Sequence, residues 1–149
     1  MIANIADGPS IADWFDHVIA TEGQSVDRPT LLVVDDDPDI RMLLCELFGK
    51  AGYTVELASD GADAILFLEH NRAPDAIVLD LLMPGIVGSS VLAYLSSQPE
   101  LANIPVAIVS SSPHLAPAGY ALFKKPLQFA PLLDFVRKAC DARALGSST

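Results

Sequence analysis

The sequence predicts an α/β fold in which helices cover both faces of a parallel sheet. Short apolar runs of strand length alternate with segments whose apolar residues recur at helical spacing, and Asp, Gly or Pro residues stand at most of the junctions. The chain has 149 residues, 51% of them hydrophobic, so it is too apolar for a disordered protein and long enough to bury a core without disulfide bonds.

The first strand and helix have the clearest signals. Thr30–Val34 is a continuous apolar run, as expected of a strand buried on both faces. Asp37 and Pro38 predict the start of a helix, because proline suits the first helical position, and Gly52 predicts its end. The apolar stripe of this helix comprises Ile40, Leu43, Leu44, Leu47 and Phe48.

Seven further elements complete the alternation. The predicted strands are Tyr53–Leu57, Ala76–Leu79, Pro105–Val109 and Tyr120–Phe123. The predicted helices are Asp60–His70, Ser89–Ser97 and a last helix marked by Leu132, Phe135, Val136 and Ala139. The sheet is therefore expected to have five strands.

Residues 1–28 stand apart from this alternation. After Ser10, the apolar residues Ile11, Trp14, Phe15, Val18 and Ile19 recur at helical spacing. Gly23 and the stretch before Pro29 then interrupt the pattern. We expect an amphipathic helix and linker over residues 1–28, the main domain over residues 29–142 and a flexible tail over residues 143–149.

Composition excludes several classes of protein. With 19 Asp and Glu against 9 Lys and Arg, the net charge of -10 argues against a nucleic-acid partner. Apolar runs are too short for a membrane helix, and the first 27 residues lack the Lys or Arg that begins a signal peptide. The 2 cysteines form neither a disulfide framework nor a zinc motif. We expect a cytoplasmic protein that contacts neither nucleic acid nor membrane.

Polar residues follow the predicted strands where their carboxyl ends should meet. Asp35–Asp37 follow the first strand, Asp80 the third, Ser110 the fourth and Lys125 the fifth. Ligands of open parallel sheets bind beyond these ends. Clustered carboxylates need a cation, and oxygen ligands favour Mg²⁺, while a hydroxyl and an ammonium group suit a phosphoryl group. The residues predict either a carboxylate phosphorylated with Mg²⁺ or a pocket for phosphate.

Four segments in this order resemble the response-regulator receiver domain of two-component signalling. They are Leu31–Pro38, Ile77–Pro84 with Gly88, Ile108–Ser111 and Lys125-Pro126, and the resemblance covers roughly residues 30–142. It implies a CheY-like, flavodoxin-like fold whose five parallel strands lie in the order 2-1-3-4-5.

The resemblance also implies which residues bind the metal and the phosphoryl group. Asp80 would be the nucleophile that accepts a phosphoryl group. Asp35 and Asp36 would hold Mg²⁺ together with Asp80, and the backbone carbonyl of Leu82 would be a further ligand. Asp37 lies beside this pair, and we expect it to cap the helix that begins at Pro38.

Two other residues have roles by the same resemblance. Ser110 would bond the phosphoryl group and move toward it on activation. Lys125 would pair with Asp80 before phosphorylation and with the phosphoryl oxygens afterwards.

The phosphoryl donor is expected to be another protein. No phosphohistidine context and no Gly-rich nucleotide loop is present, so the donor would come from outside the chain. The resemblance implies that this donor is a sensor histidine kinase or a histidine phosphotransfer protein. The protein would not be an enzyme beyond self-catalysed phosphorylation and dephosphorylation. Because only a short tail follows the last helix, we expect the protein to signal by contact with an unidentified downstream protein or to shuttle phosphoryl groups. A homodimer is a further candidate partner.

The sequence departs from the family in two places. Pro113 and Pro117 fall within residues 111–119, which are too few for the helix that the family has there, so we expect this fourth helix to be absent or reduced to about one turn. The family usually has an aromatic residue three positions before the lysine, where this chain has Leu122. Tyr120 has the same strand parity and is the alternative switch residue.

Two other functions remain open at this stage. Asp35 and Asp37 resemble the nucleophile and acid of haloacid-dehalogenase-type phosphatases, although that assignment leaves Asp80 and the following Met83-Pro84 unexplained. The other is a scaffold that uses the receiver fold for binding without phosphorylation.

Overall fold

The computed structural model describes residues 28–81, 88–112 and 116–147, in which five strands and four helices alternate. The strands are β1 (Thr30–Val34), β2 (Thr54–Ala58), β3 (Ala76–Asp80), β4 (Val106–Ser110) and β5 (Ala121–Lys124). The helices are α1 (Pro38–Lys50), α2 (Gly61–His70), α3 (Gly88–Ser97) and α4 (Phe129–Ser147). The helix predicted near the N-terminus lies outside the described residues.

All five strands are parallel, in the order β2-β1-β3-β4-β5, which confirms the predicted doubly wound sheet. Successive residues of β1 point to opposite faces: Leu31 and Val33 pack with α1 and α4, whereas Leu32 and Val34 pack with α2 and α3. Both faces of the central strands are thereby buried, which explains their unbroken apolar sequences.

An aromatic cluster joins α1 to the far end of the chain. Phe48 is fully buried, and its ring centroid lies 5.6 Å from that of Tyr53 and 4.9 Å from that of Phe129, both in edge-to-face orientation. Leu132 and Val136 of α4 belong to the same core. This cluster fixes the start of α4 against α1 and thus positions the segment after β5.

Both ends of α1 are capped by side chains. Asp37 accepts a hydrogen bond of 2.9 Å from the backbone N–H of Asp39, which confirms the expected cap. At the other end, the Arg28 guanidinium donates to the carbonyls of Gly49 and Gly52, at 2.8 and 3.1 Å. Arg28 therefore holds the chain that enters β1 against the C-terminal end of α1.

The predicted stripe of α1 is only partly buried. Leu44 and Phe48 lie in the core, but Leu43 is 50% exposed. Leu43 belongs to the apolar stripe but does not face the core, because no element among the described residues covers this side of the helix.

The connection between β4 and β5 has no helix over its described residues, 111–112 and 116–120, as expected from its prolines and its length. Leu122 pairs in register with Ile108 and so lies on the sheet face that such a helix would cover, where it is exposed. Tyr120 is half-buried and packs against the core of that face. The connection therefore covers part of the core that such a helix would cover.

The last helix is longer than the sequence predicted. α4 continues to Ser147, so residues 143–147, which were assigned to a tail, are helical. Ala142, Ala144 and Leu145 are good helix formers, which favours continuation of the helix. None of the helices in the described segments is long and apolar enough to cross a membrane.

Replacement of Phe48 by alanine should destabilise the fold strongly. The change removes a fully buried ring from the α1–α4 contact, so we expect the free energy of unfolding to fall by about 3–5 kcal/mol. Urea denaturation followed by circular dichroism measures it. Met42→Ala on the same helix is the control, because Met42 is 67% exposed, and an equal loss in both variants would contradict the packing described.

Candidate functional site

The carboxyl ends of β1 and β3 place two acidic side chains inside the protein. Asp35 follows β1 and is 4% exposed, and Asp80 ends β3 and is 2% exposed. The two strands are neighbours in the sheet, so these carboxylates leave it at the same edge. Asp36 follows Asp35 and faces solvent. Buried carboxylates are rare without a partner, so this edge is the candidate functional site.

Three carboxylates converge at this edge. Asp35, Asp36 and Asp80 each offer an oxygen, and these oxygens all lie within 4.8 Å of one another. Ionised carboxylates at such distances repel each other, and a bound cation removes the repulsion. An all-oxygen donor set fits a hard divalent ion such as Mg²⁺. Leu82, whose carbonyl was the fourth predicted ligand, lies outside the described residues.

Burial governs the protonation of Asp35. Desolvation raises the pKa of this carboxyl group, although the Asp37 N–H, which donates to Asp35 Oδ1 at 2.9 Å, and the charge of Lys125 both lower it. The charge of Asp36 raises the pKa further. Without a cation, ionisation of Asp35 therefore costs more free energy in the folded protein than in solvent.

Lys125 supplies the positive charge of the site. Its Nζ lies 3.2 Å from Oδ2 of Asp80, and its side chain remains partly exposed. The backbone N–H of Lys125 donates to the carbonyl of Ser110 at 3.1 Å, which ties the end of β5 to the end of β4. Because β5 is aligned with β4, and β4 with β3, the sheet places the Lys125 ammonium group beside Asp80.

Ser110 ends the strand next to Asp80 and is fully buried. Asp80 is in register with Val109, so Ser110 lies one residue beyond it along the neighbouring strand. The Ser110 hydroxyl oxygen accepts a hydrogen bond of 2.9 Å from the N–H of Ser112. This bond orients the oxygen and leaves the hydroxyl hydrogen available for an acceptor at the site.

The two candidate switch residues lie apart from the carboxylates. Leu122 is exposed on β5, and Tyr120 packs against the core beside α2 and α3.

Arg41 is a site residue that the sequence patterns did not predict. Its guanidinium donates to the backbone carbonyl of Asp35 at 2.7 Å and braces the acidic turn. The available signal was a basic residue in the first turn of the helix after three consecutive acids.

Comparison with known proteins gives one consistent result. The family profile described as "Response regulator receiver domain" matches residues 31–146. Protein Rrf1 from Nitratidesulfovibrio vulgaris is 34% identical over 120 residues, which cover 78% of this chain and 86% of Rrf1. The solved structure of the Francisella response regulator 1452 receiver domain superposes with a TM-score of 0.67 at 28% identity, over 77% of this chain and 98% of that one.

Other relatives are much longer than the region they share with this chain. Response regulator MprA from Mycobacterium sp. (strain KMS) is 40% identical over 81 residues, which are 54% of this chain and 34% of MprA. The chain thus spans about a third of the length of that regulator.

Replacement of Asp35 by asparagine should stabilise the metal-free protein. The amide still accepts the Asp37 N–H bond but carries no charge, so we expect the free energy of unfolding at pH 7 in EDTA to rise by about 1 kcal/mol. Because folding raises the pKa of Asp35, its ionisation costs stability as the pH rises above the ordinary value of 3.8. The gain should therefore grow with pH.

Urea denaturation of both proteins at several pH values measures this gain. Asp39→Asn is the control, because Asp39 is exposed in the first turn of α1. A loss of stability in Asp35→Asn, or a gain that shrinks toward neutral pH, would contradict the account of the site.

Proposed function

This chain belongs to the response regulator receiver domain family, and we propose that it accepts a phosphoryl group on Asp80 with the help of Mg²⁺. The observation that carries the proposal is the surroundings of Asp80. Its carboxylate is buried at a strand end, lies 3.2 Å from the Lys125 ammonium and has two further carboxylates within 4.8 Å. Such a group is both confined and able to act as a nucleophile.

The donor in this proposal is a phosphohistidine of a sensor histidine kinase or a histidine phosphotransfer protein. A carboxylate oxygen of Asp80 attacks the phosphorus, the bond between phosphorus and the imidazole nitrogen breaks, and the imidazole leaves with its electron pair. The product is an acyl phosphate on Asp80. The attacking oxygen and the leaving nitrogen would lie in line on opposite sides of the phosphorus. Positioning of the reactants and stabilisation of charge would therefore supply most of the catalysis.

Asp35, Asp36 and Asp80 would hold Mg²⁺, and the bound ion would supply the positive charge that the phosphoryl oxygens require. Lys125 would exchange its contact with Asp80 Oδ2 for one with a phosphoryl oxygen, because the transferred group carries more negative charge than the carboxylate. Ser110 would donate its hydroxyl hydrogen to another of these oxygens.

The position of Ser110 also suggests how phosphorylation of Asp80 would change the surface of the protein. A hydroxyl drawn to the phosphoryl group would give up the bond from the Ser112 N–H, which fixes the start of the β4–β5 connection. Tyr120 ends that connection and packs on the core, whereas Leu122 is exposed. We therefore favour Tyr120 over Leu122 as the residue that follows the movement and changes the surface offered to a downstream protein.

The geometry argues against the phosphatase alternative. That mechanism needs Asp37 as an acid beside Asp35, but the Asp37 carboxylate is exposed and engaged in capping α1 through the Asp39 N–H. Asp80, by contrast, is buried and in contact with Lys125.

Incubation with acetyl phosphate and Mg²⁺ should add one phosphoryl group, and Asp80→Asn should abolish it. The amide is a poor nucleophile and cannot form the acyl phosphate. Intact-protein mass spectrometry measures the added group, and Asp39→Asn, which changes an exposed carboxylate, is the control that keeps the label. Equal labelling of Asp80→Asn, together with loss of label in Asp35→Asn, would instead support the phosphatase chemistry.

Mg²⁺ should raise the melting temperature of the protein, and Asp36→Asn should weaken the effect. An ion present at 100 times its dissociation constant stabilises the folded state by about 2.7 kcal/mol. Asp36 is exposed, so its replacement removes a ligand without disturbing the core. Differential scanning calorimetry in EDTA and in Mg²⁺ tests this, with NaCl at equal ionic strength as the control for screening. An undiminished response in Asp36→Asn would contradict the assigned ligand set.

A further inference from the structure

Asp36 is the one carboxylate of the cluster that faces solvent. Asp35 and Asp80 are buried at the strand ends, so the core restricts their side chains. The Asp36 carboxylate nevertheless lies within 4.8 Å of the oxygens that the other two offer. A ligand that moves freely loses entropy when it binds an ion, so a metal site gains affinity when each ligand is held in place beforehand. The placement of Asp36 therefore depends on the backbone that carries it.

The residue before Asp36 is fixed at three points. The N–H of Asp35 donates to the carbonyl of Ala58 on β2 at 3.2 Å, and its Oδ1 accepts from the Asp37 N–H at 2.9 Å. Its carbonyl oxygen accepts from Nη1 of Arg41 at 2.7 Å. That carbonyl and the nitrogen and Cα of Asp36 belong to one planar peptide unit. The bond from Arg41 therefore fixes the plane from which the Asp36 side chain projects.

The first two residues of α1 do not serve the Asp35 carbonyl. Pro38 has no N–H, and the N–H of Asp39 is bonded to Oδ1 of Asp37. Side chains of a helix lean toward its N-terminus, so a long side chain in the first turn reaches back over the residues before the helix. Arg41 has both the position and the length for this contact.

Charge alone would give Arg41 a different role. The four acids Asp35, Asp36, Asp37 and Asp39 precede it within six residues, and a positive charge beside them lowers their mutual repulsion. The same charge repels a cation bound at the site. The two roles therefore predict opposite effects on Mg²⁺ binding when Arg41 is removed. Loss of positioning weakens the binding, whereas loss of a repelling charge strengthens it.

We propose that Arg41 is a positioning residue of the metal site, which orients the Asp36 carboxylate toward the ion by holding the Asp35–Asp36 peptide. The inference rests on the proposed function, since it takes Asp35, Asp36 and Asp80 as the ligands of Mg²⁺. Replacement of a residue that holds a metal ligand typically weakens metal binding by about 10- to 100-fold. Arg41 holds the backbone and not the carboxylate itself, so we expect the lower end of this range.

Arg41→Ala should raise the dissociation constant for Mg²⁺ about tenfold. Isothermal titration calorimetry of the metal-free protein with MgCl₂ at constant ionic strength measures it, and urea denaturation in EDTA shows that the variant is folded. Arg41→Gln keeps part of the aliphatic stem but is too short to reach the carbonyl, so it should give the same result. Lys50→Ala is the matched control, because it removes one positive charge from the exposed far end of α1 and should leave the constant unchanged.

A double-mutant cycle separates the positioning of Asp36 from a general effect on the fold. In an Asp36→Asn background, the ligand that Arg41 orients is already lost, so Arg41→Ala should change the dissociation constant by less than about twofold. An equal loss of affinity in both backgrounds would show that Arg41 acts on the fold or through Asp35, and the proposal would be wrong.

Two other results would overturn the proposal. One is Mg²⁺ binding by Arg41→Ala that equals that of the wild type, and the other is tighter binding, which would indicate a purely electrostatic role. Both leave the proposed function standing if the wild type binds Mg²⁺ and Asp36→Asn weakens the binding. A wild type that binds no Mg²⁺ would instead contradict the proposed function, and this inference with it.

Discussion

The central constraint on this protein is the burial of two carboxylates, Asp35 and Asp80, with the exposed Asp36 beside them and one ammonium group in contact. Lys125 pairs with Asp80, while desolvation raises the pKa of Asp35. The folded state therefore carries an electrostatic cost that a divalent ion would remove. This electrostatic cost is the physical basis of the proposal that the site binds a cation.

The sheet is what makes this arrangement tolerable. β1, β3 and β4 are apolar on both faces, and the two cores on either side of the sheet hold their ends in register. Asp80 is the last residue of β3, and Asp35 directly follows the last residue of β1. Neither carboxylate therefore has to fit between the sheet and the helices that cover its faces. Lys125 reaches Asp80 because its own N–H is bonded to Ser110 at the end of β4. The same parallel alignment thus supplies the stability of the core and the convergence of the site.

Much of this could be predicted from local sequence patterns. The bounds of β1 agree at both ends, because the run Thr30–Val34 is rich in β-branched residues and too short for a helix, and the acids at the ends of β1 and β3 mark the site. Contacts between distant residues could not be predicted. Examples are the seat of Phe129 against Phe48, the cap that Arg28 places on α1 and the brace from Arg41. The exposure of Leu43 is another, since helical spacing shows which face is apolar but not what covers it. The last helix continues past its predicted end to Ser147, which agrees with the helix propensity of Ala142, Ala144 and Leu145.

The most direct test of the central claim is a crystal structure of the protein with Mg²⁺ and beryllofluoride, a mimic of the phosphoryl group. The account predicts the adduct on a carboxylate oxygen of Asp80, the ion held by Asp35, Asp36 and Asp80, and Lys125 Nζ moved to a fluorine. An adduct on Asp35, or an ion bound away from these three carboxylates, would contradict it.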